Sequence, residues 1–562
     1  MKVSTPEPTP VKATAAGLTI GEYLIAKLEE HGVRHVFGIP GDYVLGFYDL
    51  LQKSRLQVIG MTKEDGAGFA ADAYARINGM GACCITYCVG GLSVANAIAG
   101  AYAEKSPVIV ISGAPGLGER LHDPMLHHKV RSFNTQCDIF AHLTEMAVVI
   151  DDPELAFRRI DEAFQTCAYF KRPVYIELPR DMVNIIPTGR YRSPRPLPPR
   201  NHEALEEAVA EIVGLLNAAE RPVILADVEI HRYGLHAVLR ELVDHTGIPV
   251  AATLLGKSVI GEQHPRYLGV YEGAMGRDEV AQVVENSDCV LALGAFMTDI
   301  NLGIFTARLD PRKVIQVRSD LVQIRHHRYV DISFEDTVTA LSQAPIKPCL
   351  LPVIPPPKTP KLSKPATGPL QVEQLFNCLN TLLEDDMAVV CDVGLCLFGA
   401  IDLVISRKTE FTAPAYYTSM GFSVPASIGI GMANPQLRTV VLVGDGAFQM
   451  TGLELSTSVQ LGLAPIVIVL NNHGYTTERA IMDGPYNDLL NWDYAKVPQL
   501  LGSGRAWTAT SEQEFINAWE EACANTTCFS LIKVELAPRD YGPALERLGK
   551  RLAERIGPSD EK

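Results

Sequence analysis

Short apolar runs alternate with small-residue or amphipathic segments along almost the whole 562-residue chain. Near the start, "HVFGIPGD", "LQVIGMT", "GACCITYCVGG" and "PVIVISGA" are rich in β-branched and apolar residues and end at Gly, Pro or polar positions, which predicts strands. Between them, "EDGAGFAADAYARING" and "SVANAIAGAYAEK" have helical spacing. The pattern returns mid-chain in "RPVILADV", "CVLALGA" and "RKVIQVRSD", and near the end in "MAVVCDVG", "RTVVLVGDG", "PIVIVLNN" and "CFSLIKVEL". Continuous apolar runs belong to strands covered on both faces, and strands separated by helices pair in parallel. The expected fold class is therefore α/β, built from doubly wound parallel sheets.

Proline interrupts this pattern twice, at 186–200 ("IPTGRYRSPRPLPPR") and at 344–369 ("APIKPCLLPVIPPPKTPKLSKPATGP"). At that density it removes backbone donors and favours extended chain, so both stretches read as linkers. Three domains are expected, at 17–185, 201–343 and 370–562, after an N-terminal tail over 1–16. That tail, "MKVSTPEPTPVKATAA", lacks the apolar centre of a signal peptide. With 65 acidic against 50 basic side chains, a net charge of −15 and no basic tract, neither nucleic acid nor an anionic membrane is expected as a main partner. No apolar run reaches membrane-spanning length. The twelve cysteines form no CxxC, so they read as small buried hydrophobes in a reducing compartment, and a cytoplasmic location is expected.

In open parallel sheets, ligands bind where loops leave the carboxyl ends of strands. Asp42, Glu64, Asp392, Asp445 and Asn472 all stand at such places. Asp445 and Asn472 lie 27 positions apart, separated by what reads as one helix and one buried strand. A right-handed crossover would make their strands parallel neighbours and bring both residues to one edge. A carboxylate, an amide oxygen and a nearby carbonyl form a hard-oxygen set suited to Mg²⁺ or Ca²⁺, and the helix after Gly446 offers free amides to an anion. Singly, Gly-Asp-Gly is as well a tight turn and Asn471-Asn472 a cap; in combination they favour a site.

With that start, end and spacing, the segment resembles the thiamine diphosphate fingerprint of transketolases, acetohydroxyacid synthases and 2-oxo acid decarboxylases. The resemblance implies that Asp445, the Asn472 side chain and the Gly474 carbonyl hold Mg²⁺, which in turn holds the diphosphate. It also implies that Gly444, Gly446, Ala447, Tyr475 and Thr476 on one side, and Val393, Gly394 and Thr418 on the other, line the cofactor. Met420, in "YYTSMGFSVP", matches the bulky residue that bends it. Glu64 stands at the strand–helix junction of "LQVIGMTKEDGAGFAADAYARI" and matches the Glu that activates the pyrimidine. A carboxyl in a low-dielectric pocket has a raised pKa and can hand a proton to ring nitrogen N1′. Lys63 and Asp65 flank it where less charge is expected. Because Glu64 and Asp445 lie in different domains, which in relatives come from two chains, the resemblance implies at least a homodimer and often a homotetramer.

Three further features choose the branch: Asp42 in "GIPGDYVL", His127-His128 in "MLHHKV" and Glu478 in "GYTTERAI". As a set they resemble the pyruvate, indolepyruvate and phenylpyruvate decarboxylases, and the similarity runs from about residue 17 to 545. That implies non-oxidative decarboxylation of a 2-oxo acid to an aldehyde and CO₂. Glu478 would assist decarboxylation, and Asp42 with the His pair would serve protonation and product release. Leu397 stands where a Trp is frequent, Phe398 follows it, and Thr477 and Ile481 flank Glu478. A smaller wall admits a larger side chain, at about 1–3 kcal/mol per changed contact, which favours aromatic or branched substrates over pyruvate. "LADVEIHRYG" holds no cysteine, so thiol-based activation is not expected. The alternatives are a pyruvate decarboxylase and a carboligase of the acetolactate synthase type. A nucleotide-binding protein would need a GxGxxG after a strand, and none occurs.

Overall fold

The computed structural model describes residues 17–189, 191, 200–351, 368–405 and 410–556. The expected tail and much of both proline-rich linkers lie outside the described residues. The chain divides into two compact units, Met1–Tyr102 with Ser106–Leu197, and Ala103–Lys105 with Pro198–Lys562.

In the first unit six strands form one sheet: β1 (His35–Gly38), β2 (Gln57–Gly60), β3 (Gly81–Ile85), β4 (Val108–Ala114), β5 (Met146–Val149) and β6 (Val174–Pro179). Their order is β2-β1-β3-β4-β6-β5 and every pairing is parallel. Between β2 and β3 runs the helix Glu64–Asn78, whose Gly66–Ala75 stretch is buried; its small residues let the backbone lie close to the sheet. It stops at Gly79, which takes the left-handed conformation, as helix ends favour.

The second unit holds two sheets. The middle one comprises β7 (Pro222–Ala226), β8 (Val250–Ala252), β9 (Tyr267–Val270), β10 (Cys289–Leu293), β11 (Val314–Val317), β12 (Val322–Ile324) and β13 (His327–Tyr329), in the order β13-β12-β11-β10-β7-β8-β9. Here the structure departs from a purely parallel frame, because β12 and β13 add an antiparallel hairpin at the edge. Each of these strands has three residues, too few to show a periodicity in the sequence.

The last sheet comprises β14 (Met387–Cys391), β15 (Glu410–Thr412), β16 (Arg438–Gly444), β17 (Ile466–Asn471), β18 (Arg505–Ala509) and β19 (Ser530–Glu535). Its order, β15-β14-β16-β17-β19-β18, repeats that of the first unit strand for strand, although no sequence repeat is legible. Both faces are buried. Val440 and Leu442 of β16 join one core cluster with Ile466, Ile468 and Leu470 of β17, while Val441, Val443, Val467 and Val469 join the cluster on the other face. Each such side chain contributes roughly 1.5–3 kcal/mol on burial, which explains why these strands carry no polar alternation. Val228, Leu254 and Met275 of the middle domain belong to the same cluster as β16 and β17, so these two domains share a core.

All twelve cysteines are free thiols, eight of them buried. Among the described residues no helix is long and apolar enough to cross a membrane.

Candidate active site

In the last sheet the strand order reverses between β14 and β16, and in the first between β1 and β3. Loops part at such switch points and leave a crevice at the carboxyl ends. Asp392 and Asp445 follow β14 and β16, and Asp42 lies beyond β1.

β16 and β17 are parallel neighbours, with Gly444 opposite Leu470. The single helix expected between them is instead broken into Asp445–Thr451, one 3-10 turn at Gly452–Glu454, and Leu455–Leu461. The break falls where the Thr451 hydroxyl donates to the Gly421 carbonyl at 2.6 Å, tying the crossover to the loop beside it. Asp445 is 2% exposed and Asn472 4%. The Asp445 carboxylate accepts the backbone N–H groups of Gly446, at 2.8 Å, and Gly474, at 3.0 Å. Burial still pushes its carboxyl up to about 6, against the pull of those two donors. Asn472 Oδ1 is buried with no hydrogen-bond partner among the described residues. Such an orphan costs about 1–3 kcal/mol unless something at the site supplies a positive partner. A buried carboxylate and a buried amide oxygen that has no donor among the described residues, at the ends of neighbouring strands, make a donor set that fits a hard metal ion. Gly474 is at φ 142, and a Cβ there would run into the Asn487 carbonyl, so only glycine presents its backbone in this way.

Asp392, for which the sequence suggested no role, organises the opposite side of the crevice. Fully buried, it accepts N–H groups from Val393 and Gly421 on Oδ1 and from Ser423 on Oδ2, together with the Ser423 hydroxyl, at 2.9–3.1 Å. It thereby anchors the segment carrying Thr418 and the half-buried Met420. A Cβ on Gly394 would lie 3.3 Å from Thr477 Oγ1, so the Asp392–Gly394 loop and the helix Thr476–Ile481 meet there. Glu478 is exposed in the first turn of that helix. The expected wall residues divide. Leu397 and Phe398 are buried in the domain core, whereas Ile481 is 78% exposed.

The first unit presents the remaining groups. Glu64 is half-buried at the first position of its helix. Its charged flanks are occupied with each other, since Lys63 Nζ pairs with Asp65 Oδ2 at 2.9 Å and Asp65 Oδ1 accepts the Gly66 N–H at 2.8 Å. Asp42, His127 and His128 converge on the surface, their ligand atoms within 4.8 Å of one another. His127 Nε2 meets Asp42 Oδ2 at 2.8 Å, and its Nδ1 faces the Tyr43 hydroxyl at 3.3 Å. The Tyr43 ring stacks on the imidazole with centroids 4.6 Å apart. His127 is thus held on three sides, and Tyr43 is the member of the group that the sequence reading missed. Its position directly after Asp42 was the only available signal.

Residues 18–139 match the N-terminal TPP binding domain of thiamine pyrophosphate enzymes, 209–344 their central domain and 392–534 their C-terminal TPP binding domain. The chain is 34% identical over 539 residues to an indole-3-pyruvate decarboxylase of Azospirillum brasilense, covering 93% of this chain and 96% of that protein. It is 33% identical over 502 residues to pyruvate decarboxylase isozyme 1 of Saccharomyces cerevisiae, covering 86% and 89%. To pyruvate decarboxylase 1 of Pisum sativum it is 32% identical over 571 residues, covering 98% and 96%. The chain belongs to the thiamine diphosphate-dependent 2-oxo acid decarboxylases. In this decarboxylase the two thiamine-binding domains are the first and last sheets, which share one strand order. Glu64 and the Asp42–His127–His128 group lie in the first, Asp445, Asn472 and Glu478 in the last.

Proposed function

We propose that this decarboxylase converts an aromatic or branched 2-oxo acid to the corresponding aldehyde and CO₂, with thiamine diphosphate anchored through Mg²⁺. The buried Asn472 Oδ1, without a hydrogen-bond partner among the described residues, together with the buried Asp445 at the end of the neighbouring strand, is the observation that supports the anchor. In this reading Asp445, the Asn472 side chain and the Gly474 carbonyl hold the ion. Gly444, Gly446, Ala447, Tyr475 and Thr476 line the diphosphate, and Val393, Gly394, Thr418 and Met420 the ring end.

Bound thiamine diphosphate supplies a carbon nucleophile and an electron sink, which let a 2-oxo acid lose its carboxylate. Glu64 holds the proton that the pyrimidine N1′ requires. His127, held by Asp42 and Tyr43, and His128 beside it would move protons during aldehyde formation and release, a role that their mutual contacts support. Glu478 handles the proton nearest the reacting carbon. Apolar surroundings that exclude water weaken the solvation of the departing carboxylate. A homodimer, and two dimers in a homotetramer, would complete the sites, and we place the enzyme in the cytoplasm.

Substrate size is read from Thr477, a small residue that fronts the Gly394 loop. Leu397 and Phe398 shape that wall from within the core. The test is kcat/KM for phenylpyruvate, indolepyruvate, 4-methyl-2-oxopentanoate and pyruvate, with CO₂ and aldehyde measured together. We expect the bulky acids to lead. A preference for pyruvate would overturn the substrate assignment, and CO₂ release with a carbon–carbon bonded product would favour carboligation.

A further inference from the structure

A chain of buried polar groups crosses the first unit. Gln136, in the helix Thr135–Leu143, is 0% exposed, as are Tyr175 and Glu177 on β6. The Cys88 N–H donates to Gln136 Oε1, while Gln136 Nε2 donates to Ser112 Oγ and to the Tyr175 hydroxyl, both at 2.7 Å. Tyr175 donates in turn to Glu177 Oε2 at 2.9 Å, and Arg120 Nη2 donates to Glu177 Oε1 at 2.9 Å. Burial pushes the Glu177 carboxyl up, and Arg120 and Tyr175 pull it back. Stability does not require such a chain, because well-packed apolar residues generally serve as well. A chain satisfied at every link does, however, hold its ends rigidly.

Both ends lie beside groups of the proposed site. Cys88, at φ 53, forms the turn before the helix Val89–Ala103, and Gly91 in that helix packs directly on the Gln136 amide. The adjacent Gly90 faces Glu64, since a Cβ there would lie 3.6 Å from Glu64 Oε1. At the other end Arg120 belongs to the segment that carries His127 and His128. Its Nε donates to the Pro115 carbonyl at 3.0 Å and its guanidinium covers the Phe133 ring at 5.7 Å. The Phe133 carbonyl accepts from Tyr87, whose ring meets the edge of Tyr43, and Tyr43 stacks on His127.

We propose that Gln136, Tyr175, Glu177 and Arg120 are positioning residues for the decarboxylation, locking the turn that faces Glu64 to the loop that carries the histidine pair. The inference rests on the roles given above to Glu64 and to those histidines. Displacing a reacting group by an ångström costs on the order of a hundredfold in rate, so a relay that holds two proton-handling groups in one register has a direct effect on turnover.

The test uses the full chain with thiamine diphosphate and Mg²⁺, and compares Tyr175→Phe, Glu177→Gln and their double variant. Tyr175→Phe removes one hydroxyl and keeps the packing, so it reports even if Glu177→Gln folds poorly. We expect each single variant to lose on the order of tenfold in kcat with cofactor affinity within about twofold of the parent, and the double variant to lose no more than the worse single one. The kcat/KM pH profile should move in all three. Unchanged kcat in Tyr175→Phe, or losses that multiply while the pH profile stays in place, would overturn the relay. Glu64→Gln is the control. If it still turns over, the underlying reading falls and the relay with it; if it is inactive while Tyr175→Phe matches the parent, the relay alone falls.

Discussion

Glu272, just beyond β9, should make this enzyme less stable as pH rises, and Glu272→Gln should remove the effect. The residue is 0% exposed, and neither carboxylate oxygen has a hydrogen-bond partner among the described residues. The nearby cations are committed elsewhere. Arg547, in the helix Gly542–Ile556, donates to the Met275 carbonyl at 2.6 and 3.0 Å and pairs with Asp402 at 2.9 Å, while Lys257 pairs with Glu262 at 3.0 Å. Burial therefore drives the Glu272 carboxyl well above its ordinary value, Asp402 adding to the rise and Arg547 and Lys257 opposing it. In the unfolded chain the same carboxyl ionises near pH 4.3. With the folded value raised, its favourable contribution is complete below that pH and is lost as pH climbs toward the folded value. The loss is about 1.4 kcal/mol per pH unit across that window. Glutamine has the same shape and no proton to lose. The difference in Tm between variant and parent should thus grow by about 2 °C per pH unit through the mildly acidic range, for a cooperative unit of a few hundred residues. A difference that is constant with pH, or that shrinks as pH rises, would refute the reasoning.

Three other variants separate anchoring, activation and scaffold. Asn472→Leu should stabilise the cofactor-free protein by about 1–3 kcal/mol by removing an unpaired buried oxygen. It should also abolish the rise in Tm produced by thiamine diphosphate with Mg²⁺; a normal rise would remove Asn472 from the metal site. Glu64→Gln should keep that rise yet lose on the order of 10²–10⁴-fold in kcat, as expected for a general acid–base group. Lys257 is buried, pairs with Glu262 at 3.0 Å and links the middle and last domains by donating to the Leu403 carbonyl at 2.6 Å. Lys257→Met should cost about 3–5 kcal/mol by stranding Glu262, and adding Glu262→Gln should recover much of it in thermal melts; a loss that the second change deepens would contradict the pairing.

How much could be read in advance depended on separation along the chain. Asp445 and Asn472 were legible because one crossover joins two adjacent strands, so the fold places their ends together. Glu64 was legible as the junction of a strand and a small-residue helix. Asp392 was not, because the groups that saturate its carboxylate, Gly421 and Ser423, lie 29 and 31 residues later and carry no signal of their own. Lys63 and Asp65 were puzzling as charges and became ordinary as a local pair. Leu397 and Phe398 could be assigned to a loop but not to a side of it, and the structure turns both into the core.

What the amino-acid pattern determined by itself was local or topologically forced: parallel sheets buried on two faces, strand ends bearing acids and amides, and one crossover that makes the strands before Asp445 and Asn472 parallel neighbours. What the tertiary structure decided was which polar groups remain unpaired. Among the described residues Asn472 Oδ1 and the Glu272 carboxylate are buried without hydrogen-bond partners, and one suits a hard cation while burial pushes the other's carboxyl up. Hydrophobic periodicity specifies what is buried, but whether a buried polar atom is satisfied depends on donors brought in from distant parts of the chain.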